Sequence, residues 1–127
     1  MKSSLIAATF LLSAASVPAL AQDARGTWLH PTGNARIRIA DCAPALCGLI
    51  SWTKDNSTPA RVGQRVFYDM KPSKPNAWAG SAFNPEDGKT YSGTMTLAGN
   101  SLTTAGCVLG GLICKSVHWT RVNQAQQ

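Results

Sequence analysis

HWTR, His118 to Arg121, sets a large aromatic and a permanent cation two positions apart near the end of the chain. On a β-strand, residues two apart point to the same side. Trp119 and Arg121 therefore share one face, just before the polar tail VNQAQQ. The patterned part of the chain begins with a related stretch, GTW, Gly26 to Trp28. In a meander that closes on itself the first and last strands pair. Trp28 would then lie at the floor of a barrel, with the Arg121 guanidinium laid over its indole. Such a contact contributes about 0.5–2 kcal/mol. Arg suits it better than Lys because its head is planar and weakly hydrated. Gly26 would let the backbone bend tightly beside the ring.

The segments between these two ends alternate with period two and lack helical periodicity. In ARIRIA, Ile37 and Ile39 point one way, Arg36 and Arg38 the other. In TYSGTMTL, Tyr91, Gly93, Met95 and Leu97 oppose a row of Ser and Thr. Both read as strands with one wet face. Turn chemistry separates them: HPTGN, NPEDGK and AGNS. DNSTPARVG and MKPSKPN read as longer surface loops. The strands expected are 26–30, 35–40, 47–53, 65–68, 78–83, 90–97, 101–107 and 114–122. Eight short strands with hairpin-length links give an all-β sandwich or barrel. Sequential turns favour the small up-and-down antiparallel barrel, whose interior holds side chains or one small ligand.

Residues 1–21 read as a signal peptide. Lys2 precedes a short apolar run from Leu5 to Val17, and PALA before Gln22 ends in the small-x-small cleavage pattern. The run is too short for a membrane span. Residues 22–127 are then a single domain of 106 residues (127 less 21) in a periplasmic or secreted protein.

The four cysteines all follow the leader. An even number in an oxidising compartment reads as two disulfides rather than a metal site, whose cysteines lie closer together. Three connectivities are open. Local pairing would stabilise by about 2 kcal/mol per bridge, and a Cys42–Cys114 bridge by about 4 kcal/mol. Each near pair flanks a hairpin turn, APAL or VLGGLI, which favours Cys42–Cys47 and Cys107–Cys114.

Lys and Arg number 12 against 6 Asp and Glu. The cations are scattered, with no run of the kind nucleic-acid binding uses. They read as a solvated outer face, with a weak attraction to an anionic envelope surface as the alternative. No triad motif, P-loop or HExxH occurs, and the six acids show no paired spacing across a cleft. The reading is therefore non-enzymatic and without cofactor or metal. Asn56-Ser57-Thr58 matches a glycosylation triplet, read as coincidence in an export context.

Aromatics offer the best candidates for binding. Trp52 and Trp78 flank the two long loops, and Tyr91, Phe67 and His30 join them as candidate ligand contacts at a barrel mouth. His30 follows Trp28 by two and shares its face, whereas His118 points away from Trp119. Strands this short imply a shallow cup. Two functions stand: a module binding a small apolar or amphipathic molecule, or a filled barrel contacting another envelope protein.

The Gly-x-Trp start with a late Arg resembles the structural signature of lipocalins and related calycin barrels. In order, GTW, LCGLISW, WAGSAFNPEDGKTYSGTMTL and GCVLGGLICKSVHWTR resemble the exported bacterial family known as domain of unknown function 2147. The resemblance spans nearly all of residues 22–127 and implies a lipocalin-like barrel without naming a reaction. Ser81 departs from it, standing where a second Gly after Gly80 is expected.

Overall fold

Alternation decides which side chains enter the core. Ile37 and Ile39 are each 1% exposed, and Arg38 between them is exposed. The same rule buries Gly93, Met95 and Leu97 and leaves Thr94 and Thr96 in water. The computed structural model describes residue 9, residues 23–55 and residues 59–123. Apart from residue 9, the expected leader lies outside the described residues, as does the Asn56-Ser57-Thr58 triplet.

Eight strands follow one another: β1 Gly26–Leu29, β2 Ala35–Cys42, β3 Ala45–Thr53, β4 Arg65–Lys74, β5 Ala77–Asn84, β6 Lys89–Ala98, β7 Ser101–Val108 and β8 Ile113–Arg121. Each pairs antiparallel with the next, and β8 returns to β1, so the sheet is a closed barrel. Closure gives every strand two neighbours, so no strand is an edge along its whole length. Turns therefore alternate between two poles. One pole carries the chain entry at 23–25, the β2–β3, β4–β5 and β6–β7 turns, and the exit after Arg121. The other carries the β1–β2, β3–β4, β5–β6 and β7–β8 connections.

The lumen is packed with side chains. Trp28, Ile37, Ile39, Met70, Met95 and Leu102 are the largest fully buried groups. Phe67 lies over Gly48, where an added Cβ would come within 2.8 Å of its ring. Its burial (7% exposed) makes it a member of the core.

Strand β4 is longer than the alternation suggested. MKPSK continues it to Lys74, although Pro72 and two lysines read as loop. The β3 ladder beside it ends at the Leu46–Met70 pair, so one flank of β4 is unpaired beyond that point. A missing N–H on that flank costs no ladder bond. The β4–β5 register shifts between Tyr68 and Lys71, where Asp69 adopts φ 51°. That bulge brings the β4 backbone against Gly80. Ser81 keeps its register with Tyr68 on one side and Ser92 on the other, so its departure from the family pattern leaves the backbone regular there.

Disulfides join Cys42 to Cys47 and Cys107 to Cys114, with Cα–Cα distances of 5.7 and 4.1 Å. Each staples the turn end of one hairpin, the first at the entry pole and the second at the opposite pole.

Candidate functional site

The seam between first and last strands is short: Trp28 faces Arg121 and Leu29 faces Thr120. Side chains reinforce it. The Arg121 guanidinium carbon lies 4.3 Å from the centre of the Trp28 ring. Its Nη2 donates to the Asp23 carbonyl at 2.7 Å and its Nη1 to the Arg25 carbonyl at 3.2 Å. The Trp28 indole N–H donates to the Ala24 carbonyl at 2.8 Å. Residues 23–25, ahead of the first expected strand, thus form a strap across the entry pole, and its middle residue, Ala24, is fully buried. Gly26, at φ 129°, turns the strap into β1 in a conformation that a side chain disfavours. Arg25 ties the strap outward, bonding Asp23 and, at 2.8 Å, Asp41 at the end of β2. The Arg25 hydrogen bond holds the Asp23 carboxyl below the usual carboxylate range.

Beside the strap lies a solvent-open groove of about 200 Å³. The β2–β3 turn supplies one wall through Ala43, Pro44 and Ala45. Pro72 of β4 and Trp78 of β5 supply the other, Leu46 and the fully buried Met70 line its depth, and Asp41 stands at its edge. Trp78 sits there because β5 pairs it with Pro72 on one side and Met95 on the other. The volume is below the range of about 300–1,000 Å³ usual for small-molecule pockets. It matches one ring or a short alkyl group.

The other aromatic candidates do not join Trp78. Trp52, Tyr91 and His30 lie toward the opposite pole, and Phe67 is inside the core between them. Strict alternation from the buried Ile50 would put Trp52 on the inner face. A bulge pairs Ile37 with Ile50 but Arg36 with Trp52, so Ser51 is the extra residue. That one-residue step turns Trp52 to the outer face. Trp52 is 39% exposed, with the Arg36 guanidinium 5.2 Å from its ring centre. Tyr91 packs over Gly106 and donates its hydroxyl to the Asp87 carboxylate. This bond raises the Tyr91 pKa and lowers that of Asp87.

His30 meets the Trp119 ring edge-on, with centroids 5.1 Å apart. The Trp119 indole in turn donates to Thr104 Oγ1 at 2.9 Å inside the barrel. His30 Nδ1 lies 2.8 Å from Thr32 Oγ1 and 3.2 Å from the Thr32 backbone N–H, which donates to it in the neutral ring. Burial lowers the His30 pKa, and the Glu86 charge opposes the shift in part. A depressed pKa favours the neutral ring in the folded state. The stability it brings is present above the ordinary value of 6.5 and is lost as pH falls below it. Thermal melts should therefore show a Tm lower at pH 5 than at pH 7, with a smaller difference in His30→Gln. An equal difference in both proteins would refute the assignment. Loss of the Asp23 contribution belongs to a separate window, below about pH 4.

Among the described residues no three His, Cys, Asp or Glu side chains are grouped to hold a metal ion. Among them, too, no helix is long and apolar enough to cross a membrane.

A solved structure described as protein HP1028 from the human pathogen Helicobacter pylori, which belongs to the lipocalin family, is similar to this barrel. The TM-score is 0.68 at 16% sequence identity, over 81% of this chain and 85% of that one. At that identity the likeness is one of fold: the barrel is lipocalin-like. No curated protein matches the chain. A family model described as an uncharacterised protein conserved in bacteria, DUF2147, matches residues 26–121. That span runs from the glycine before the buried tryptophan to the arginine that covers it, and by it the chain belongs to the DUF2147 family.

Proposed function

We propose that this protein is a non-enzymatic, exported binding module that takes a small amphipathic molecule in the groove at the entry pole. The groove beside Trp78 carries the reading. It combines an aromatic face, two prolines and a buried Met70 floor with a single exposed carboxylate, Asp41, at its edge, one oxygen of which Arg25 holds and the other of which would face a bound head group. An apolar body would lie on Trp78 and Pro72, and a donor or cationic head would turn toward Asp41. The filled lumen argues against a large apolar cargo of the kind a deep cup holds. Two disulfides support work in an oxidising compartment. The lipocalin-like fold, common among binding proteins, is a fold-level analogy and adds weight only as such.

The test is an NMR titration with phenethylamine, an aryl ring bearing an ammonium, against phenylpropionate as the charge-reversed control. For so few atoms the dissociation constant should be on the order of 1 mM. Shifts should cluster at Leu46, Met70 and the Trp78 indole, be weaker for the carboxylate, and vanish in Trp78→Ala. Shifts confined to the Trp52, Tyr91 and His30 pole, or none at all, would refute the groove as the site.

A further inference from the structure

The pole opposite the groove carries a feature that neither folding nor the groove explains. The β7–β8 connection runs Val108-Leu109-Gly110-Gly111-Leu112-Ile113, four large apolar residues and two glycines with no polar side chain. All four apolar side chains are in water: Val108 40% exposed, Leu109 69%, Leu112 84% and Ile113 59%. Leu109 is also held at φ 55°, a left-handed conformation that costs a side-chain-bearing residue energy. The Cys107–Cys114 disulfide closes the neck of this tip and keeps it presented. Across the same pole, Val62 of the β3–β4 connection is 63% exposed and Trp52 faces outward.

Charge at this pole is positive. Its strand ends and connections bear Arg36, Lys54, Arg61, Arg65, Lys89 and Lys115 against Asp55, Glu86 and Asp87, six less three, or +3. Lys115 stands two residues beyond Ile113. A convex apolar tip with cations behind it matches a bilayer surface, where apolar groups enter the acyl boundary and cations meet anionic headgroups.

We infer that the β7–β8 tip is a membrane-contact element that seats this pole on an anionic lipid surface. The inference does not depend on the groove, which would face away from the lipid. Its test is flotation with phosphatidylcholine vesicles and with equimolar phosphatidylcholine and phosphatidylglycerol. Every protein compared must share one N-terminus, verified by mass spectrometry, because residues 5–17 are themselves apolar.

The wild-type protein should float with both vesicle types, and about fivefold or more strongly with the anionic ones. Leu112→Asp with Ile113→Asp should lower partitioning about tenfold per side chain with an unchanged Tm, since both residues are exposed. Lys115→Glu should reduce only the gain from phosphatidylglycerol. Absence of wild-type flotation, or equal flotation of the double variant, would overturn the inference. So would a lipid-free dimer in sedimentation velocity that the double variant abolishes, since the tip would then serve a second copy of the chain.

Discussion

Replacing Gly80 with alanine is expected to destabilise the barrel by about 3 kcal/mol, seen as a lower urea midpoint at unchanged slope. A Cβ at this position would come within 2.4 Å of the Tyr68 carbonyl oxygen and 2.5 Å of that of Asp69. Both are backbone atoms of the β4 bulge, so no rotamer change relieves the contact. Only a shift of the β4–β5 ladder would, and that ladder holds Trp78 in the groove wall and Phe67 in the core. Gly48 makes the contrast. An added Cβ there meets the Phe67 and Ile39 side chains, which can give. Gly48→Ala should therefore cost less than Gly80→Ala. The reverse order would show that the bulge, not the core, is the part that yields.

The second large effect is expected at the seam. Trp28 is fully buried, and Trp28→Ala should cost about 4 kcal/mol. Arg121→Ala should cost about 2 kcal/mol, through the lost ring contact and the released strap carbonyls. The two residues share one contact and one strap, so the double variant should fall short of the sum by about 1 kcal/mol. Urea denaturation of the four proteins gives the cycle. Strict additivity would mean that Arg121 acts on the strap alone.

Both regions were legible to different degrees. GTW and HWTR declared themselves because strand alternation and aromatic–cation chemistry are local properties of the sequence. The strap did not, since nothing in Asp23-Ala24-Arg25 signals that its carbonyls have partners nearly a hundred residues away. The near cysteine pairs could be placed because each brackets turn residues. Strand β4 was cut short because Pro72 forbids a ladder bond, and whether a flank has a ladder is decided by how far the neighbouring strand reaches.

The candidate site shows the same division. Aromatic content near loops was visible, and Trp78 does line a groove. Its grouping with Trp52 and Tyr91 assumed one mouth, whereas alternating turns distribute those residues between two poles. For Trp52 the cause is narrower still. One extra residue, Ser51, reverses which face the side chain takes, and bulges of this kind leave no mark in the alternation of LCGLISW. Asp41 is similar. It lies one residue before the end of β2, where Arg25 reaches it and the groove opens, and nothing in its own sequence surroundings marks that place.

The strap and the exit of β8 lie together at one pole of a ring in which every strand has two neighbours. Such a ring has no intrinsic beginning. A chain circularly permuted to start within residues 54–64, with a linker from 123 back to 23, would inherit the same eight ladders. The linker would then hold the strap in place covalently, and the cost would fall on the β3–β4 connection, whose Gly63 and Gln64 exchange backbone hydrogen bonds with Ile50.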